Sequence, residues 1–293
     1  ALGDRLFLGT ADAHLLSLDM RIGATLWDAE VFNYKSGYSV TVAPLVVKDK
    51  VIIGVAGAEY GIRGFIDAYD VQTGKRLWRV YTVAGPDEPG GNTWPKGTDA
   101  YKNGGGSIWV TGTYDPDQNL LFYGTGNPGP DYFSAVREGD NLYTASVVAL
   151  DADTGKIKWH FQFTPHDVHD WDATQVPILA DLTINGQPRK TMLFANRNGF
   201  FYVLDRTNGR MILAKPFVQQ TWAKEISPEG RPILLPGRLP TEEGARTCPD
   251  AGGGRNFYSP SYHPTNRLFV LTARETCRTY YSYNEPFKDG ERF

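Results

Sequence analysis

The sequence predicts an all-β protein of the propeller class, built from tryptophan-docking repeats, and three observations carry that prediction. First, an Asp, a Gly four residues on and a Trp four residues beyond recur as Asp19, Gly23 and Trp27, as Asp70, Gly74 and Trp78, and as Asp151, Gly155 and Trp159. A fourth copy, Asp205 and Gly209, has Leu213 where the tryptophan is expected. Second, the aspartates are 51, 81 and 54 residues apart, and repeats of roughly 40–50 residues with strand pairs point to propeller blades. Third, helical patterns are nearly absent, while 32 glycines and 19 prolines suit a turn-rich chain.

Each repeat has a physical rationale. An apolar strand ends in Asp, whose carboxylate accepts hydrogen bonds from the backbone N–H groups of the turn. Gly takes the positive-φ position that closes a short hairpin. Trp then stands at a fixed place on the next strand, where an indole suits packing between neighbouring sheets. Residues 1–10 read as a turn and strand already inside such a fold, with no targeting segment. Four to five repeats fit the 293 residues. An open propeller would expose strand edges and tryptophan faces, so residues 1–293 are expected to form one incomplete propeller domain, a piece of a longer closed ring.

Two stretches interrupt the pattern. Residues 84–106, between the second and third copies, are rich in Gly, Pro, Asn and Lys. They read either as a surface excursion or as a loop over a substrate cavity. Residues 224–244 are similar and show no strand pattern beyond 231–235.

Composition excludes some functions. With 41% hydrophobic and 13% aromatic residues, a substantial core is expected. A net charge of −3 without a Lys/Arg run argues against nucleic-acid binding by counterion release. No apolar run approaches the ~18 residues of a membrane-spanning helix. Cys248 and Cys277 flank two predicted strands, 258–262 and 268–272. That spacing admits a disulfide across the hairpin and equally two free buried thiols.

The chemistry concentrates in residues 164–172, where His166, Asp167, His169, Asp170 and Asp172 fall within nine positions behind Thr164 and Pro165. This stretch reads as half of a metal-and-base site. Glu59, Asn127 and Arg197, each at the end of a strand-like run, read as the other half. Small neighbours such as Gly57 would let a cation approach Glu59, although a turn glutamate in a surface salt bridge has the same local sequence. Asn127 sits among the glycines and prolines of residues 124–130, an ordinary turn composition taken to excess. Trp109 follows the triplet Gly104, Gly105 and Gly106. Asp167 and His169 read as support for the loop.

Taken together, these segments resemble the quinoprotein alcohol dehydrogenases, periplasmic propellers that use pyrroloquinoline quinone (PQQ). The likeness runs over essentially the whole chain. It covers the glycine-framed Glu59, the triplet before Trp109, the turn holding Asn127, Thr164 to Asp172, residues 196–209, and Cys248-Pro249 through Cys277. The family ring has eight blades around an axial cofactor, so this chain would cover about half to five-eighths of it.

The resemblance implies a periplasmic enzyme that oxidises a primary alcohol to an aldehyde by hydride transfer to metal-bound PQQ. Electrons would pass to a c-type cytochrome, and a homodimer is compatible. It implies that Glu59, Asn127 and Asp170 hold a cation, with Glu59 also contacting PQQ. Trp109 would form a stacking floor under the quinone, with Arg197 near the quinone oxygens. Thr41 would donate to a cofactor carboxylate, Asn256 would touch the quinone, and Cys248 and Cys277 would form a disulfide. Asp170 would be the general base.

Lanthanide-dependent members resemble this chain in carrying a second aspartate, here Asp172, two positions after the base. Calcium-dependent members often have a neutral residue there. An added carboxylate suits a trivalent hard cation, so the cation is read as a lanthanide(III) or Ca²⁺. A slip aligning Trp171 and Asp172 with the Trp-Asp that the family often shows would make Asp172 the base and remove the extra ligand. Ala56 departs from a serine common in the family, and no C-x-x-C-H haem motif is present. Two other readings compete. A propeller scaffold of outer-membrane assembly shares the repeats, and a PQQ sugar or polyol dehydrogenase shares the chemistry. Glu59, Asn127, Asp170 and Arg197 together separate the enzymes from the scaffold.

Overall fold

The computed structural model describes residues 1–293. Four antiparallel meander sheets follow one another along the chain. The first has three strands, β1 (Arg5–Gly9), β2 (His14–Asp19) and β3 (Thr25–Glu30). The second contains β4 (Leu45–Val47), β5 (Lys50–Gly54), β6 (Phe65–Asp70) and β7 (Arg76–Tyr81). The third contains β8 (Thr113–Asp115), β9 (Leu120–Gly124), β10 (Ser146–Asp151) and β11 (Ile157–Gln162). The fourth contains β12 (Ile178–Ile184), β13 (Gln187–Ala195), β14 (Phe200–Asp205) and β15 (Met211–Pro216). The only helical pieces are five short 3₁₀ turns.

The repeat motif sits where the sequence places it, at the turn between the last two strands of each sheet. The Asp70 carboxylate accepts from the N–H groups of Gln72 (3.1 Å) and Thr73 (2.8 Å), and Asp151 does the same for Asp153 (3.2 Å) and Thr154 (3.0 Å). The glycine then donates back to the aspartate carbonyl, as in Gly74 to Asp70 at 2.9 Å. A bulge recurs just before the aspartate in all four copies, at Ser17/Leu18, Ala68/Tyr69, Ala149/Leu150 and Val203/Leu204. Each tryptophan packs on the glycine of the next repeat. A methyl group on Gly74 would lie 2.8 Å from the Trp27 ring, one on Gly155 2.6 Å from Trp78, and one on Gly209 2.5 Å from Trp159. The motif glycine is therefore required twice, for its left-handed backbone and for the close approach of an indole.

The cores lie between sheets, and strand alternation decides which core each residue joins. Val51 and Ile53 face the first sheet, whereas Ile52 between them faces the third. Leu121 and Tyr123 face the second sheet, whereas Leu120 and Phe122 face the fourth. Strands buried on both faces read as continuous apolar runs, which is the case for β5 and β9. A buried ion pair within the second sheet also ties it to the first. Arg79 grips Asp67 through two hydrogen bonds (2.7 and 2.6 Å) and donates to Val31 O, just after β3 (3.0 Å).

After β15 the chain forms three two-stranded ladders. β16 (Ala223–Ile226) pairs with β17 (Pro232–Leu234), so residues 224–244 contain a strand the sequence pattern did not indicate. β19 (Ser261–His263) pairs with β20 (Leu268–Val270), a shorter hairpin than expected but with its turn in the expected place. β18 (Ala245–Thr247) and β21 (Arg278–Tyr280) close around that hairpin, with the Cys248–Cys277 disulfide beside them.

Candidate active site

The end of β9, the turns after β5 and β13, and the loop from Thr164 to Asp172 converge on one cavity of about 730 Å³. Thr41, Glu59, Trp109, Asn127, Asp170, Asp172 and Arg197 all line it.

The Thr164–Asp172 loop is held from within. The buried Asp167 carboxylate accepts from the N–H groups of His169 (3.3 Å) and Trp171 (2.8 Å). Trp171 is fully buried and donates from Nε1 to Asp250 O (3.0 Å). His169 stacks on Trp171 with ring centres 4.2 Å apart, and its Nε2 lies 2.8 Å from Arg238 O, so that nitrogen carries the proton. Burial pushes His169 down to about 4, so it is neutral, and pushes Asp167 up to about 6. Both residues therefore support the loop, as the sequence suggests. Asp170 takes a left-handed backbone (φ 62°) between these anchors and directs its side chain to the cavity.

Asp172 is the hub of the site. Its Oδ1 accepts from the backbone N–H of Asn127 (2.7 Å), and its Oδ2 accepts from Trp109 Nε1 (2.9 Å). Arg197 Nη2 stands 3.2 Å from the same Oδ2. Gly126 makes the approach feasible, because a methyl group there would lie 2.9 Å from Asp172 Oδ1. The Asp172 side chain is 8% exposed and that of Asp170 29%.

Arg197 follows β13 and reaches across the site. Its Nη1 donates to Asp170 O (2.9 Å) and Ala251 O (3.2 Å), and lies 3.5 Å from Asp170 Oδ1. Its Nη2 donates to Asn256 Oδ1 (3.0 Å), and its Cζ lies 5.5 Å from the centre of the Trp109 ring. Asn256 thus stands behind Arg197 rather than in the cavity wall. Gly253 packs on the arginine backbone, where a methyl group would be 2.7 Å from Arg197 Cα.

Glu59 lies on the short turn Ala58–Tyr60, between Gly57 (φ 119°) and Gly61 (φ 64°), and is open to the cavity. The glycine framing is steric, since a methyl group on Gly57 would strike Gly37 O at 2.0 Å. Thr41 is exposed at the rim, with Oγ1 3.5 Å from Trp109 O.

Three findings depart from the sequence reading. Residues 84–106 do not line this cavity. Pro95, Thr98 and Asp99 line a neighbouring groove instead, and Gly104 and Gly106 brace the Asn127 turn through Gly129 N to Gly104 O (3.1 Å) and Gly106 N to Asn127 O (2.9 Å). Next, no three His, Cys, Asp or Glu side chains converge tightly enough to form a metal cluster by themselves. Glu59, Asn127, Asp170 and Asp172 share the cavity wall, with Arg197 bridging the two aspartates. Finally, two site residues escaped the sequence. Asp131 lines the cavity and accepts from Asn127 Nδ2 at 2.6 Å. Arg137, fully buried, donates to Pro130 O (3.0 Å), Asp131 O (3.2 Å) and Asp167 O (2.7 Å), tying the Asn127 turn to the Asp170 loop.

The donor set fits a cation and a planar acidic cofactor. Five carboxylates, Glu59, Asp131, Asp170, Asp172 and Glu285, line the cavity with Arg197 among them. Burial, with Asp131 and Asp172 as negative neighbours, raises Asp170 well above the usual carboxylate range. Burial, with Asp172 and Glu59 nearby, pushes Asp131 up to about 6. Such crowded, desolvated carboxylates suit a hard cation. Beside the Trp109 face, Arg197 Nε is buried with no acceptor in the chain, an orphaned donor suited to a ligand oxygen.

Comparisons agree with this geometry. The family model for the PQQ glucose/ethanol/alcohol dehydrogenase β-propeller domain matches residues 1–228. The chain is 43% identical to quinohemoprotein alcohol dehydrogenase ADH IIB of Pseudomonas putida, across 99% of this chain and 44% of that protein. It is 38% identical to the lanthanide-dependent methanol dehydrogenase of Methylacidiphilum fumariolicum (strain SolV), across 98% of this chain and 50% of that protein. Among solved structures, a europium-containing methanol dehydrogenase superposes with a TM-score of 0.94 at 36% identity, covering all of this chain and 54% of that one. The chain thus spans about half the length of the relatives it matches. By its fold, its site and this likeness, the chain belongs to the PQQ-dependent glucose/ethanol/alcohol dehydrogenase β-propeller family.

Proposed function

We propose that the whole protein is a periplasmic quinoprotein dehydrogenase. In this reading it oxidises a primary alcohol to the aldehyde with PQQ and a lanthanide(III) or Ca²⁺ ion, and passes the electrons to a c-type cytochrome. The observation that carries the proposal is the convergence of Asp170, Asp172 and Arg197 beside the Trp109 ring, in one cavity with Glu59 and Asn127. When bound, PQQ supplies the hydride acceptor and the cation supplies Lewis acidity.

The chain supplies position and proton transfer. Trp109 offers a flat stacking surface whose tilt is fixed by the hydrogen bond from its Nε1 to Asp172. Arg197 Nε gives a polar contact at the edge of that surface, and Asn256 holds the guanidinium from behind. Glu59, Asn127, Asp170 and Asp172 are the oxygen donors for the cation. Asp170 takes the hydroxyl proton of the alcohol as the carbon-bound hydrogen leaves as hydride, which yields the aldehyde. Support for Asp170 rather than Asp172 as the base comes from their partners. Both Asp172 oxygens are engaged by donors, while the Asp170 carboxylate has only Arg197 at 3.5 Å and is the more open of the two. A raised proton affinity makes it a stronger base than an ordinary carboxylate. Asp172 adds the charge that favours a trivalent ion.

The test uses the intact protein, prepared free of metal and PQQ and then given PQQ with La³⁺ or with Ca²⁺. Dye reduction with a short primary alcohol is the readout. Turnover with La³⁺ is expected, and Asp170→Ala should lower it by at least about 10²-fold with an unchanged circular dichroism spectrum. Full turnover in that variant would remove Asp170 as the base. Failure to take up PQQ with either ion would remove the enzyme reading.

A further inference from the structure

Asn127 has an ambiguous side chain, because a primary amide can present either its oxygen or its NH₂ to the cavity. Its surroundings resolve the ambiguity. Nδ2 donates to Asp131 Oδ1 at 2.6 Å and to Pro128 O at 3.2 Å. An ionised carboxylate and a backbone carbonyl are acceptors only, so neither can face the amide oxygen favourably. No donor of the chain reaches Asn127 Oδ1, and the residue lines the cavity. The amide is therefore locked with nitrogen toward the wall and oxygen toward the interior.

The wall that carries the lock is itself fixed. Arg137 holds the carbonyls of Pro130 and Asp131 (3.0 and 3.2 Å), and its third backbone contact, Asp167 O at 2.7 Å, anchors it to the loop that bears Asp170. On the other side, the Asn127 backbone is pinned by Asp172 Oδ1 (2.7 Å) and Gly106 N (2.9 Å). The backbone of residue 127 thus cannot turn, and the only remaining freedom, rotation of its amide, is removed by Asp131.

We propose that Asp131 is a positioning residue that orients the Asn127 amide so that its oxygen, and not its nitrogen, is offered to the cation. The inference rests on the reading of Asn127 as a cation ligand. Asp131→Asn would abolish the lock without changing the packing, because the new amide NH₂ could donate to Asn127 Oδ1 and turn that amide round. Outer partners of metal ligands typically carry an appreciable share of metal affinity.

Eu³⁺ is the probe, added with PQQ to the intact protein. Its affinity is read by titration, and its bound waters by luminescence lifetimes in H₂O and D₂O. Asp131→Asn should bind Eu³⁺ roughly 10–100-fold more weakly. It should also show about one more coordinated water, which replaces the lost amide oxygen. Asp131→Ser, too short to reach Nδ2, should give the same extra water and guards against a variant that folds poorly. Weaker binding with an unchanged water count would overturn the proposal, since Asp131 would then act by charge alone. Unchanged affinity and water count would overturn it too. If the unmutated protein binds no Eu³⁺, the cation reading of the site falls, and this inference with it.

Discussion

At the scale of single residues, Asp172 shows how a candidate ligand can also be a strut. Its two oxygens receive the Asn127 N–H, the Trp109 indole N–H and the Arg197 guanidinium. Removing the carboxylate leaves a nearly buried guanidinium with Asp170, at 3.5 Å, as its only remaining carboxylate partner, and breaking a buried pair from one side costs up to about 3–5 kcal/mol. Asp172→Ala should therefore lower the denaturant midpoint even when no metal or PQQ is present. In the loaded protein it should also shift the ratio of La³⁺-dependent to Ca²⁺-dependent turnover toward Ca²⁺. A preserved midpoint would show that the three donors find other partners, and a preserved metal ratio would remove Asp172 as the extra ligand. The sequence singled out Asp170 and Asp172 by the cluster of carboxylates and histidines at 164–172, and Glu59, Asn127 and Arg197 by their places at the ends of strand-like runs, with the family resemblance supplying the roles. It gave no sign of Asp131 or Arg137. An aspartate after a proline looks like an ordinary turn residue, and an arginine among Ser134, Glu138 and Asp140 looks solvated. Only the folded chain shows Arg137 with no exposed surface and Asp131 within 2.6 Å of an amide nitrogen.

At the scale of elements, the repeat turn was legible because everything it needs is local. The Asp-to-Gly spacing sets the hairpin, and the bulge falls at the same place in all four copies. What the sequence left out is the contact across sheets, and this makes the four glycines unequal. All four have left-handed backbones, with φ of 72°, 71°, 71° and 76° for Gly23, Gly74, Gly155 and Gly209. Three face an indole, whereas a methyl group on Gly23 would meet nothing within 4 Å. Gly23→Ala should thus cost only backbone strain, about 1–2 kcal/mol. Gly155→Ala carries the same strain plus a clash with Trp78, and overpacking of this kind adds about 1–3 kcal/mol. Denaturant unfolding of the two variants of this chain measures the difference. Equal costs would mean that the tryptophan moves aside freely and that the socket is not a close-packed contact. The ladders after β15 were less legible for the opposite reason. β18 and β21 are separated by the whole β19–β20 hairpin, and no local pattern reports so distant a pairing. β16 is short, and burial along its four residues does not alternate, so no strand pattern stands out.

At the scale of the molecule, burial alternates sheet by sheet and then stops. The second and third sheets are covered on both faces, so their inner strands are buried along nearly their whole length, with apolar runs such as Val51–Ile53 and Leu120–Tyr123. The first sheet is covered on one face only. Phe7 and Leu15 join the core toward the second sheet, whereas Leu6 and Leu8 are 44% and 47% exposed on the opposite side of the same ladder. The fourth sheet carries the small β19–β20 hairpin, but an open groove of about 860 Å³ remains along β12, lined by residues such as Ile178, Leu182 and Phe269. Apolar surface of this extent on a chain in water favours association, because each contact removes hydrocarbon from solvent. The 293-residue chain expressed on its own should therefore self-associate, with an apparent mass that rises with concentration in light scattering. Leu6→Lys with Leu8→Lys should shift that equilibrium toward the monomer, since both side chains leave the same face and neither enters the core. A chain that stays monomeric at high concentration would show that these faces are too small or too divided to drive contact. An association that ignores the lysines would place the contact on the fourth sheet instead, where Leu182→Lys is the corresponding probe.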